Sequence, residues 1–231
     1  IIPEGVRGFQ FSFNLTERLI LLGGTKMDNI ESLRKLAYEL LAARRSHDYR
    51  EKGFIYYHGQ RVAKLAINLR KLIIPDDDSN DDVIRVASYF HDIAKGIEPH
   101  FEYGAILVKE ILKEYFTEEE LKKIVDIVRY HTLRRKDNDY ADYIKIVQDA
   151  DILDHYGTIG VWLDFHYYAY HDLSMEKALE IYEQEYEKQI SKVRELLNYD
   201  ISKKIYDDRV EFQRKFFRRF AVEVKGDIFT V

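Results

Sequence analysis

Only three prolines interrupt the 231 residues, at Pro3, Pro75 and Pro99, and proline is the residue that most reliably ends a helix. From Met27 onward the apolar residues recur at helical spacing. Asp28 with Glu31 has the spacing of a capping box and opens a helix to about Arg45. A second helix is predicted from about Ile55 to Leu72, with Val62, Leu65, Leu69 and Leu72 on one face. The acidic stretch 75–82 reads as a loop ahead of a third helix, Val83 to about Lys95. Pro99 suits the first turn of a fourth, reaching Tyr115. Thr117 with Glu120 is a second capping box, opening a fifth helix to about Tyr130. Further helices are expected from about Tyr140 to His155, Met175 to Leu197 and Ile201 to Phe220. The fold class that follows is all-α, a helical bundle in which residues 27–231 form a single domain.

Residues 1–26 behave differently and are assigned to an N-terminal extension. Phe9, Phe11, Phe13 and Leu15 alternate with the period of a strand, and Val222-Glu223-Val224 followed by Lys225-Gly226-Asp227 suggests a minor terminal β-hairpin. The run Gly23 to Met27 also has the form of a translated ribosome-binding site ahead of a start at Met27.

The chain contains no cysteine. That excludes a disulfide scaffold, a thiolate zinc finger, an iron–sulfur cluster and a cysteine nucleophile. Any metal site must be built from nitrogen and oxygen, and eight histidines with 41 acidic residues supply both. A hydrophobic content of 46% is enough for a real core and excludes intrinsic disorder. The net charge of −5 argues against a nucleic-acid polymer as partner. No apolar run approaches the roughly 18 residues needed to span a bilayer, and the early cluster Leu19–Leu22 lacks the form of a signal peptide. The expectation is a cytoplasmic protein with no membrane partner.

The strongest chemical signal is His91-Asp92, within Tyr89-Phe90-His91-Asp92-Ile93-Ala94-Lys95. Adjacent residues of a helix point about 100° apart, so one ion takes both only at a seam between helices. Other helices must then complete its shell. His58 shares the face of Val62 and Leu65, Asp151 follows Val147 by four, His131 follows Ile127 by four, and His100 precedes Gly104 by four. Each alone is more simply a hydrogen-bonded core histidine or a capping aspartate. A set of inward polar groups from different helices is harder to explain by packing, because an unpaired one is costly. Imidazoles and carboxylates are what Mn, Fe, Co, Ni or Zn accept when thiolates are absent.

The order His58, His91-Asp92, Asp151 resembles the H…HD…D signature of the HD-domain superfamily of metal-dependent phosphohydrolases. His58-Gly59-Gln60-Arg61-Val62 is similar to that family's H-x-x-R-V, and His91-Asp92-Ile93-Ala94-Lys95 to its HD-I-[AG]-K. Gln148-Asp149-Ala150-Asp151-Ile152-Leu153-Asp154 resembles the D-A-D-x-L-D run of stand-alone bacterial members. The resemblance covers about residues 28 to 220. It implies an HD-domain helical bundle, with His58, His91, Asp92 and Asp151 as ligands of a first divalent metal ion (Mn, Fe, Co, Ni, Zn or Mg). His100-Phe101-Glu102-Tyr103-Gly104-Ala105 and His131 resemble positions that bind a second ion in two-metal members, with Asp92 bridging. His131-Thr132 departs from the adjacent histidines of the HD-GYP phosphodiesterases, and their GYP motif is missing. One ion, with His100 and His131 touching substrate phosphate, therefore stays open.

By this resemblance the activity is hydrolysis of a phosphate ester or anhydride of a small soluble substrate, with a nucleotide favoured. A divalent ion cancels phosphate charge and lowers the pKa of bound water. Asp92, Lys95 and Arg61 are the candidate catalytic residues, the two cations for phosphate oxygens. For Lys95 a helix C-terminal cation is the alternative, and for Arg61 a partly buried ion pair. Arg134 and Arg135 are the other cationic candidates for phosphate, read more simply as a solvated loop. Asp154 and His155 are candidates to orient ligands, and His47-Asp48 lies near the first ligand in sequence without counting as one. The run His166-Tyr167-Tyr168-Ala169-Tyr170-His171 has the makings of an aromatic wall for a base, but aromatics this dense in a chain with 18 tyrosines usually pack. The basic run Arg214 to Arg219 reads as a solvated amphipathic face. Two other functions compete: a non-catalytic module sensing a phosphorylated ligand through its metal, and a di-iron oxygenase of the HD fold.

Overall fold

A computed structural model describes residues 30–134 and 139–230. Among them the chain forms nine helices and no strand: α1 (Ile30–Leu41), α2 (Phe54–Ile73), α3 (Asp81–Phe90), α4 (His100–Leu112), α5 (Glu118–Tyr130), α6 (Asp142–Asp154), α7 (Thr158–Tyr170), α8 (Met175–Arg194) and α9 (Asp200–Glu223). The all-α expectation is met. The Asp28 cap and the alternating Phe9–Leu15 segment lie outside the described residues.

The helices are set by local chemistry and most are held by one large apolar core. Thr117 and Glu120 make the reciprocal capping box at the start of α5. α2 is the central element: it packs on α3 and α6, while α3 packs in turn on α5 and α5 on α4. Val62, Ala66, Phe90, Val108, Ile127 and Leu153 are among the buried side chains between them. Arg70 and Asp81 tie the end of α2 to the start of α3 with two parallel bonds of 2.7 Å. A smaller cluster of Tyr168, Ala178, Leu179 and Phe217 joins α7, α8 and α9.

The structure departs from expectation in several places. Val222 and Glu223 finish α9 instead of opening a hairpin. The Gly226 amide bonds to the Glu223 carbonyl at 3.0 Å, and Gly226 has φ 77°, the left-handed residue that commonly follows a helix. α3 stops at Phe90, not Lys95. Beyond it the chain winds tighter, with amide-to-carbonyl bonds from Ile93 to Phe90 (2.9 Å), Lys95 to Asp92 (2.8 Å) and Ile97 to Ala94 (3.0 Å). Helix α7 has no counterpart in the sequence reading, because its apolar residues Ile159, Val161, Trp162, Leu163, Phe165 and Tyr168 cover it on all sides.

Candidate metal centre

His58 lies in the second turn of α2, and His91 and Asp92 sit just past the end of α3. Gly59 lets these two elements meet. A Cβ at Gly59 would lie 2.9 Å from the Ser88 carbonyl oxygen and 3.1 Å from that of Tyr89, so α2 reaches this depth only where a side chain is missing. The tight turn after α3 then closes on Gly96, at φ 95°. His100 opens α4, His131 follows α5, and Asp151 and Asp154 occupy the last turn of α6. Five segments thus converge on one buried point.

All six expected ligands are buried: His58, His91, Asp92, His100, His131 and Asp151. Their ligand atoms fall into groups in which every atom lies within 4.8 Å of the others: His58, His91 and Asp92; His58, Asp151 and His155; and Asp92, His100 and His131. Asp92 joins two of these groups and His58 joins two. Asp92 Oδ1 is 3.4 Å from both His100 Nε2 and His131 Nε2, while its Oδ2 is 3.9 Å from His91 Nε2.

The rings are held from behind. His91 Nδ1 donates to the Ser88 carbonyl at 2.8 Å and His131 Nδ1 to the Val128 carbonyl at 2.7 Å. His58 Nδ1 donates to Asp154 Oδ2 at 2.7 Å, and His100 Nδ1 to the Glu98 carboxylate at 3.0 Å. Each acceptor places the proton on Nδ1, so four imidazoles turn Nε2 toward the centre. A metal-ligating histidine is normally oriented in this way. Asp92 Oδ1 and His131 Nε2 are buried without a hydrogen-bond partner, which is costly unless a cation sits between them. The residues present therefore fit a divalent metal.

The charges are arranged to the same end. Burial opposes a proton on His58, yet the hydrogen bonds it donates to Asp151 and Asp154 outweigh it and push the imidazole up to about 9. Burial pushes His91 down to about 4, in spite of Asp92. His58 Nε2 stands 3.1 Å from Asp151 Oδ1 and 3.2 Å from His91 Nε2, so His58 carries the shared proton. Burial also opposes the charge on Asp92 and Asp151. His91 and Lys95 hold Asp92 well below the usual carboxylate range, and Arg134 and His58 do so for Asp151.

The cationic residues divide by partner. Lys95 Nζ is 3.4 Å from Asp92 Oδ1. Arg61 is paired through Nε and Nη2 with Asp154, at 2.8 and 2.9 Å, and so reaches the centre through the carboxylate that holds His58. Arg134 is not solvated: its Nη2 donates to Asp151 Oδ2, and its side chain is only 16% exposed. A loop arginine moves inward here because Asp151 requires a partner charge. Arg135 lies outside the described residues. His155 Nδ1 donates to the Asp151 carbonyl at 2.9 Å. Glu98, absent from the sequence reading, accepts from both the ring and the backbone N–H of His100. Its signal was a carboxylate two residues before a helix-opening histidine. Beside the centre, Arg61 and Asp154 also line a cavity of about 520 Å3 with Lys64, Tyr156, Arg209 and Phe212.

Residues 55–156 match the HD domain family model. This part of the chain is an HD domain. Comparison with curated protein sequences found no match. Among solved structures, Bacillus subtilis YpgQ in complex with ADP superposes with a TM-score of 0.61 at 18% identity, covering 86% of this chain and 99% of YpgQ. YpgQ alone gives 0.60 at 17%, over 85% and 96%. Lin1889 from Listeria innocua gives 0.59 at 22%, over 85% and 98%. At these identities the likeness is one of fold, and it extends beyond the HD domain to most of the helices. No helix among the described residues is long and apolar enough to cross a membrane.

Proposed function

We propose that the chain is a metal-dependent phosphohydrolase cleaving a phosphate ester or anhydride of a small soluble substrate, with a nucleotide as the favoured class. The observation that carries this reading is Asp92, whose two oxygens face separate histidine groups. His58, His91, Asp92 and Asp151 would hold a first ion, and His100 and His131, sharing Asp92, a second. Bound divalent ions supply neutralisation of phosphate charge and an acidified water.

The chain's own groups do the rest. Asp154 keeps the His58 proton on Nδ1, and Arg61 keeps Asp154 ionised and in place. Glu98 does for His100 what the Ser88 and Val128 carbonyls do for His91 and His131. Lys95 stands at the rim beside Asp92, its side chain 27% exposed, where its ammonium can hold a phosphate oxygen. The solved YpgQ complex with ADP supports a nucleotide as the substrate class. The test is phosphate or pyrophosphate release from a panel of nucleotides by metal-loaded protein. Release that stops with a chelator and returns with the metal is the expected result. Tight nucleotide binding without product over hours would favour a sensing module instead.

A further inference from the structure

The aromatic run at the end of α7 does not simply pack. Tyr167 is 40% and Tyr170 50% exposed, and both gather, with His171, around a ring from elsewhere in the chain. Tyr49, in the segment between α1 and α2, has its centroid 5.6 Å from Tyr167, 6.2 Å from Tyr170 and 6.5 Å from His171. Tyr167 and His171 are 4.3 Å apart, and His47 lies 5.2 Å from Tyr49. Rings from two distant segments thus share one surface that water still reaches.

A chain of contacts, through the buried Phe54, links that surface to the metal centre. The Arg50 guanidinium lies 4.9 Å from the Tyr49 ring and 5.5 Å from the Phe54 ring. Phe54 in turn stacks on the His58 imidazole, 5.4 Å away and within 4° of parallel. The segment carrying Tyr49 is fixed at both sides. Arg44 donates to the Ile93 and Lys95 carbonyls, in the turn that bears His91 and Asp92, and Arg50 donates to the Leu163 carbonyl of α7 at 2.9 Å. A rigid, exposed set of aromatic edges and faces at the rim of a phosphate-directed site fits a planar heterocycle better than another protein. Its rings come from Tyr and His, which keep a polar edge in water.

We infer that Tyr49, Tyr167, Tyr170 and His171 form the wall on which the base of the nucleotide stacks while its phosphates face the His58–Asp92 centre. The inference rests on the phosphorylated-ligand part of the reading above and extends it to the base. Stacking on such a wall tolerates any base, since every base has a π-face, with purines favoured by their larger ring.

The test compares ADP with inorganic pyrophosphate, which has the same phosphates and no base. Binding of each to Mn2+-loaded protein is measured by calorimetry for the natural sequence, Tyr167→Ala, Tyr167→Phe and Tyr49→Ala, with thermal melting to confirm folding. ADP should bind more tightly than pyrophosphate. That preference should fall roughly tenfold in each alanine variant and return in Tyr167→Phe. Equal binding of ADP and pyrophosphate by the natural sequence, or a preference untouched in folded Tyr167→Ala and Tyr49→Ala, would overturn the wall. Binding and turnover separate the two claims: a base-dependent preference without hydrolysis sinks the enzyme and leaves the wall. Hydrolysis without the preference does the reverse.

Discussion

Asp92 Oδ1 lies 3.4 Å from His131 Nε2, and neither atom has a hydrogen-bond partner in its buried surroundings. The Val128 carbonyl holds the His131 proton on the opposite nitrogen. A carboxylate oxygen and an imidazole lone pair therefore face each other with no proton between them. Such a pair repels unless a cation joins it, and the Lys95 ammonium, 3.4 Å from the same oxygen, answers only the carboxylate side. His131→Ala should leave the fold intact and lower metal stoichiometry or affinity, read by elemental analysis after dialysis. Unchanged metal content would remove His131 from the site.

The orienting carboxylate should matter nearly as much as a ligand. Asp154→Asn leaves the shape but loses the charge that receives the His58 Nδ1 proton and pairs with Arg61. Metal affinity or activity should fall about 10- to 100-fold. A full set of wild-type constants would show that His58 needs no such support.

Gly59 carries a stability prediction. A methyl at 2.9 Å from the Ser88 carbonyl oxygen forces α2 away from α3. Gly59→Ala should cost about 1–3 kcal/mol in denaturant unfolding, typical of overpacking, and should loosen metal binding because His58 moves with its helix. An unchanged midpoint would refute the close approach.

The metal-free protein should lose stability on the alkaline side. His58 titrates at about 9 when folded and at 6.5 as an ordinary imidazole, so the folded state binds its proton more tightly. That contribution is complete below pH 6.5 and disappears as pH rises through 9. Its size is a few kcal/mol at most, about 1.4 per unit of difference. Melting temperatures of chelated protein should fall between pH 6.5 and 9. Metal binding displaces the proton, so loaded protein should lack this decline. A flat profile for the chelated protein would contradict the His58–Asp151–Asp154 arrangement.

Much of the arrangement is legible in the sequence alone. His58, His91-Asp92 and Asp151 stand in short motifs whose neighbours in sequence are also neighbours in space. Thr117 with Glu120 announced α5 because a capping box is a local device. What escaped was set by tertiary contacts. Ser88 and Val128 orient His91 and His131 through backbone carbonyls, which leave no mark on residue type. Arg134 looked like a loop cation, since nothing near it in sequence reveals that Asp151 is buried beside it. The end of α3 was hidden because the chain keeps turning in the same sense, only tighter, until Gly96. Helix α7 was missed since its apolar residues follow no single face, and with it the meeting of Tyr167 and Tyr49.

The central claim is that Asp92 organises a metal-dependent phosphohydrolase. It is tested most directly by phosphate release from a nucleotide panel, comparing Mn2+-loaded natural sequence with folded Asp92→Ala. The account predicts release by the first and background alone from the second. Full activity of Asp92→Ala, or no release from any nucleotide by the metal-loaded natural sequence, would contradict it.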